Sequence, residues 1–219
     1  MVLKLHGFPL STCTNRVRLA LEEKGVEVEF IPVDLLKGEQ KSEAYLNELH
    51  PFGKVPVFQD TDTGVQIFES RAIAQYIAVK YSAQGTDLSP SPEDFKAYAN
   101  FQQALSIEQS YFDPVVSAIA FEKVFKPRKG LGETDEARVQ SLLVQLDTTL
   151  QGYERILSKQ PYLAGDKVTL ADLYHLPYGV MAENFGAAEL YGKYPATKKW
   201  WESLKARESW KKITSSPPA

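Results

Sequence analysis

Apolar and polar positions change their rhythm along the chain. Residues 2–6 form a short apolar run that stops at Gly7 and predicts a strand. Cys13, Val17, Ala20 and Leu21 then recur at helical spacing, and Gly25 after Lys24 predicts where that helix stops. Val26, Val28 and Phe30 alternate with Glu27 and Glu29, the period of a half-buried strand. Strand, helix and strand make a βαβ unit, with parallel strands and a right-handed crossover. Residues 37–49 predict a weaker helix. Residues 55–58 and 65–68 flank a turn-rich stretch and predict an antiparallel hairpin. Ile73, Tyr76, Ile77 and Tyr81 mark a further helix. The order is βαβ, then ββα.

Past residue 82 the strand signals vanish. Residues 83–92 are rich in Ser, Pro and Gly and predict a linker. Residues 93–125 read as one long helical stretch, with Pro114 predicting a kink near Asp113. Residues 134–158 place Val139, Leu142, Leu143, Leu146 and Leu150 on one face. Thr169 and Asp172 have capping-box spacing, and Val168 and Leu173 are placed for a hydrophobic staple. Tyr194-Pro195 predicts the start of a helix carrying Trp200, Trp201 and Leu204. The tail, 214–219, reads as frayed. The expected organisation is an α/β domain over 1–82, a linker over 83–92 and an all-helical domain over 93–219.

Composition narrows the chemistry. The 219 residues are 43% hydrophobic and 24% charged, which is ordinary globular composition. A formal charge of −3 gives no reason to expect nucleic acid as a partner. No apolar run approaches the ~18 residues of a membrane span, and residues 1–6 lack the pattern of a signal peptide. One cysteine, Cys13, excludes an intramolecular disulfide and fits a reducing compartment. His6, His50 and His175 have no metal-ligand spacing and are expected to be structural, and no metal is expected. The charged positions elsewhere read as solvated surface.

Three segments carry candidate chemistry. Residues 7–14, Gly-Phe-Pro-Leu-Ser-Thr-Cys-Thr, form a βα turn at the carboxyl end of a parallel strand, where open α/β sheets bind ligands. The helix start there favours an anion, and Ser11 adds a hydroxyl; on this segment alone, plain capping by Ser11 or Thr12 is the leading reading. Residues 51–57, Pro-Phe-Gly-Lys-Val-Pro-Val, put Pro56 where a strand should form; proline donates nothing to a ladder, so Val55 faces an edge or turn. Residues 68–73, Phe-Glu-Ser-Arg-Ala-Ile, run from strand into helix with Ser70 placed as N-cap, another seat for a carboxylate or simply a cap. Three such edges on one small sheet weigh more than each alone.

These segments, with Gly38-Glu-Gln-Lys41 and Phe112-Asp-Pro114, resemble the glutathione transferases, specifically the phi class, across essentially the whole chain. The resemblance implies a thioredoxin-like domain followed by the helical transferase domain, with glutathione as co-substrate. It implies that Ser11 contacts the glutathione sulfur, that the bond before Pro56 is cis, and that Glu69 and Ser70 hold the γ-glutamyl end. Lys41 and Lys54 then suit the glycine carboxylate by charge, Gln40 adds a neutral hydrogen bond, and Val55 pairs with the central cysteine of the peptide as an added strand would. The class commonly has His-Lys where this chain has Gln40-Lys41, glutamine where it has Lys54, and a basic residue where it has Asn15.

The electrophile needs an apolar pocket. Leu10 and Thr12 match its loop side, and Phe121 and Phe125 are the helix-side candidates, with burial in the core as their other reading. The expected activity is conjugation of glutathione to hydrophobic electrophiles, with reduction of organic hydroperoxides beside it. The alternatives are a carrier of apolar ligands and a thiol–disulfide oxidoreductase using Cys13. Cys13 stands two residues past the Ser11 position and is expected to pack into the helix face. The resemblance also implies a cytoplasmic homodimer.

Overall fold

A computed structural model describes residues 2–215. Contacts divide them into two compact units: residues up to Ser89 together with those from Arg207 onward, and Pro90–Ala206.

The first unit opens with β1 (Leu3–Gly7), α1 (Thr12–Lys24) and β2 (Glu29–Pro32). The parallel β1–β2 pair is the expected βαβ unit. Gly25 ends α1 in the left-handed conformation at φ 61°, where a Cβ would be strained. A 3₁₀ turn, Glu39–Lys41, and a short α2 (Glu43–Glu48) replace the single weak helix expected there. β3 (Val57–Asp60) and β4 (Val65–Phe68) form the antiparallel hairpin, followed by α3 (Ser70–Lys80). The sheet order is β2-β1-β3-β4, with β1 and β3 antiparallel. Leu3, Leu5, Val17, Leu21, Phe58, Ile73 and Ile77 form the core beneath the two helices. β3 starts two residues later than the apolar run suggested, because Pro56 has no N–H for the ladder. The Val55–Pro56 bond is cis.

The second unit is helical. α4 (Phe95–Ile107) runs into a π-helical turn, Glu108–Phe112, then α5 (Asp113–Ala120), a second π turn, Phe121–Phe125, and α6 (Lys126–Arg128). The kink expected at Pro114 is thus a wide turn that ends just before the proline, which occupies the first turn of α5 where no N–H is needed. α7 (Glu136–Leu157) buries Val139, Leu142, Leu146, Leu150, Tyr153 and Leu157, and Leu143 is half-buried. α8 (Leu170–Leu173), α9 (Leu176–Ala182), α10 (Ala188–Lys193) and α11 (Pro195–Lys205) complete it. Asp172, wholly buried, accepts from the Thr169 N–H at 2.9 Å and from the Trp200 indole at 2.9 Å. Val168 and Leu173 are both buried, as the staple requires. His175 is fully buried, with Tyr153 Oη at 2.8 Å from its Nε2 and the Phe112 ring at 4.4 Å, and so is structural.

α12 (Glu208–Ser215) corrects the expected boundary. The helical domain does not keep its C-terminal end: α12 packs on α1 in the first unit. The cause is a buried carboxylate. Glu23 accepts from Arg207 Nη2 at 2.6 Å and from the Ser209 and Thr86 hydroxyls at 2.5 and 2.6 Å. Burial alone would raise the Glu23 carboxyl, but these hydrogen bonds outweigh it and hold it below the usual range. The expected linker is also partly pinned, since Lys24 Nζ donates to the carbonyls of Gln84 and Thr86 at 3.0 and 2.7 Å. Thr214 and Ser215 close α12 rather than fray, and 216–219 lie outside the described residues.

Candidate active site

Strand register gathers the three candidate segments at one edge of the sheet. His6 pairs with Val57, and Val57 pairs with Phe68. The loop leaving β1, the segment entering β3 and the step from β4 into α3 therefore meet at the same end. Ser11, Pro56 and Glu69 each stand just beyond that rung or its loop.

Ser11 is the N-cap of α1: the Thr14 N–H donates to its Oγ at 3.2 Å. A hydroxyl has two acceptor lone pairs and one proton. The cap uses an acceptor, so the proton remains available. Capping and catalysis, posed as alternatives by the sequence, are compatible at this atom. Leu10 is 72% exposed, whereas Thr12, also expected to line the apolar pocket, is buried at 6% exposure.

Ser70 is buried but is not the cap expected of it. It is the first residue of α3, and Glu69 takes the cap position at φ 73° with no side-chain cap bond. A left-handed φ in a non-glycine residue costs about 1–3 kcal/mol and concentrates at functional sites. The Ser70 Oγ instead accepts from Arg16 Nη1 at 2.8 Å. Arg16, 2% exposed, was missed by sequence reasoning because a charged side chain on a helix reads as solvated. It joins the start of α1 to the start of α3, and its Nη1 also lies 3.7 Å from Cys13 Sγ. Cys13 is half-buried rather than packed into the helix face, with this guanidinium for a neighbour.

The remaining candidates form a second cluster. Lys41 is exposed and its Nζ donates to the Phe52 carbonyl at 3.1 Å. Gly53, at φ 58°, lies so close that a Cβ would sit 2.6 Å from the Gln40 carbonyl and 2.9 Å from Lys41 Nζ. Glycine is therefore required for Gln40-Lys41 to lie against the Pro51–Lys54 segment. Gln40 buries its Oε1 without a hydrogen-bond partner. The Lys54 side chain is exposed, and its carbonyl accepts from Tyr45 Oη at 2.8 Å. Burial, then the charge of Glu39, pushes the Tyr45 phenol up to about 12, so it stays a donor. His50 stacks on Phe68 at 4.4 Å and is structural. Val55 lies outside the ladder, two residues before β3.

In the second unit Phe121 and Phe125 open and close one π turn; Phe121 is 38% exposed and Phe125 half-buried, so neither is core. Among the described residues no group of three or more His, Cys, Asp or Glu is placed to hold a metal. Among them, too, no helix is long and apolar enough to cross a membrane.

Residues 1–79 match the model of the glutathione S-transferase N-terminal domain and 112–208 that of the C-terminal domain. A glutathione S-transferase of Arabidopsis thaliana is 50% identical over 201 residues, which cover 92% of this chain and 90% of the relative. The chain belongs to the glutathione transferase family. A glutathione S-transferase of Hypomyces subiculosus is 45% identical, over 98% of this chain and 99% of its own. Glutathione transferase F7 of Populus trichocarpa superposes with a TM-score of 0.91 at 38% identity, covering 98% of each chain. With glutathione S-transferase F13 of Arabidopsis thaliana, 40% identical over 98% of this chain and 95% of its own, this F-type relative places the transferase in the phi class, with the thioredoxin-like and helical domains of that fold. Its co-substrate is glutathione, and a carrier without catalysis is not favoured.

Proposed function

We propose that the transferase ionises the glutathione thiol with the Ser11 hydroxyl and adds the thiolate to hydrophobic electrophiles. The observation that carries this is the Ser11 hydroxyl at the α1 N-terminus, whose acceptor side is used by the cap and whose proton is not. A thiol titrates near ~8.5, and the thiolate is the nucleophile. Lowering that by about two units requires roughly 2.7 kcal/mol of preference for the anion. A helix N-terminus contributes about 0.3–1 kcal/mol. A hydrogen bond to a charged group contributes about 1.5–3 kcal/mol. The Ser11 hydroxyl therefore stabilises the thiolate more than the helix end does. Serine donates a hydrogen bond here and is not itself the nucleophile.

Glutathione carries two carboxylates, an ammonium and the thiol. Lys41 and Lys54 suit the glycine carboxylate, with Gln40 beside them, and Val55 offers backbone groups to the peptide. Ser70 and the α3 N-terminus suit the γ-glutamyl carboxylate, and Glu69 the ammonium. Arg16 fixes the Ser70 hydroxyl as acceptor, which leaves the Ser70 proton for the ligand. Attack forms a carbon–sulfur bond, and the electrophile's leaving group departs or its π bond takes up the electron pair. The maize neighbour, solved with an atrazine–glutathione conjugate and 32% identical at a TM-score of 0.87, supports aromatic electrophiles as the class. Leu10 and Thr12 are the proposed apolar contacts on the first unit, with Thr12 only 6% exposed, and Phe121 and Phe125 are those proposed on the second.

The chain is proposed to act as a cytoplasmic homodimer. Large apolar side chains left exposed on each unit, Phe52 and Val79 on one and Phe95 and Tyr111 on the other, are surface that a second copy would cover. A panel of aromatic halides, isothiocyanates and organic hydroperoxides, run on the wild type and on Ser11→Ala, tests the activity. Conjugation lost with Ser11 supports the assignment, and equal rates in both proteins contradict it.

A further inference from the structure

The π turn Phe121–Phe125 is a wide, intrinsically unfavourable conformation, and such turns concentrate at functional sites. Something must hold it. Between its two phenylalanines lies Glu122, a carboxylate only 4% exposed. Its Oε2 accepts from Lys126 Nζ at 2.8 Å and from the Asp135 N–H at 3.2 Å, and its Oε1 lies 3.5 Å from Arg138 Nε. Its carbonyl accepts from the Thr134 hydroxyl at 2.9 Å. The next residue, Lys123, is paired with Glu136 at 2.6 Å. The loop between α6 and α7 is thus closed at its root onto the π turn. Asp135 in turn caps α7 by accepting from the Arg138 N–H at 2.9 Å. The Lys126 hydrogen bond and then the Asp135 N–H hold the Glu122 carboxyl below the usual range, so it is charged at neutral pH.

We propose that Glu122 is a positioning residue that clamps the π turn to the α7 N-terminus and so sets which electrophiles the transferase accepts through Phe121 and Phe125. This rests on the conjugating reading above. The geometry carries it. One buried side chain joins the two residues proposed to touch the electrophile to the capped start of the unit's longest helix, and a loosened turn would move both rings together. Glu122 itself touches neither glutathione nor the electrophile.

The test compares the wild type, Glu122→Gln and Lys126→Gln with chlorodinitrobenzene as compact electrophile and benzyl isothiocyanate as the longer one. Hydrogen exchange over 118–136 is followed in parallel. Lys126→Gln removes a partly exposed partner and serves if Glu122→Gln does not fold. The expected result is a change of about fivefold or more in the ratio of kcat/KM for the two electrophiles. The KM for glutathione should stay within about twofold, since no glutathione contact is altered. Exchange at 121–126 should be faster in both variants, and Glu122→Asp should partly restore the ratio. A wild type that conjugates neither electrophile overturns the conjugating reading and this inference with it. An active wild type whose variants lose both activities in equal proportion, or none, overturns the inference alone.

Discussion

Among individual residues, the proposed site rests on hydroxyls that accept from the protein and so keep their protons for a ligand. Ser11 accepts from the Thr14 N–H and Ser70 from Arg16. The serine at 11 was legible from its place in a βα turn. Its proposed donor role came from the family resemblance and not from spacing, because a cap and a catalytic donor look identical in sequence. Arg16 was not legible at all: its neighbours at 14 and 17 mark the buried side of α1, but charge made the position read as surface. Truncation of this arginine is expected to act through Ser70. Arg16→Ala should raise the KM for glutathione by about fivefold or more while leaving kcat less affected, since the γ-glutamyl carboxylate is remote from the sulfur. Steady-state kinetics at varied glutathione checks this. An unchanged KM would show that Ser70 is held without it.

Among the elements, the first unit followed the polar and apolar rhythm in order and type, but β2 spans Glu29–Pro32 and so begins three residues past the alternation that starts at Val26; two other departures have local causes. Pro56 delayed β3, and Glu69 moved the cap of α3 back by one position. The long helical stretch after the linker was correct in type. Its two π turns were invisible, because neither leaves a periodicity that differs enough over five residues to detect. Side-chain clamps made from distant residues were equally hidden. Asp60, 1% exposed, is one: it accepts from Tyr76 Oη at 2.7 Å and pairs with Lys80 on α3. Burial would raise its carboxyl, but Lys80 and then Tyr76 pull it down to about 2, from an ordinary value of 3.8. A depressed carboxyl stabilises the fold above its unfolded value and loses that contribution as pH falls through the folded one. The tie between β3 and α3 should therefore weaken between pH ~4 and ~2, by no more than about 2 kcal/mol. Asp60→Asn should be less stable at neutral pH and show a flatter stability profile across that window. Urea unfolding at several pH values reads both, and an unchanged profile would remove Asp60 as its source.

Across the molecule as a whole, the change from alternating elements to helices alone is the signal from which a boundary at 83–92 is expected. The division between the units falls after Ser89, inside the stretch expected to link them. What sequence order could not convey is that the chain returns. α12 belongs with α1 because Glu23, buried on α1, needs Arg207 and Ser209 from the far end of the chain. A pairing this distant leaves no local signature. Arg207→Gln is expected to destabilise the first unit by about 2 kcal/mol, the usual scale for a hydrogen bond to a charged group. The urea midpoint should fall with an unchanged slope. A midpoint equal to wild type would mean that Trp210 and Ile213, both buried, hold α12 in place by themselves.

The central proposal is that the Ser11 hydroxyl ionises the thiol of glutathione. The pKa of enzyme-bound glutathione reads this directly, followed by thiolate absorbance across pH in the wild type and in Ser11→Ala. The wild type should hold the thiol about two units below its free value, and Ser11→Ala should return it by at least about one unit. The loss of the cap alone would lower stability by about 1 kcal/mol without moving that pKa. A bound thiol that titrates identically in both proteins would show that Ser11 does not ionise it.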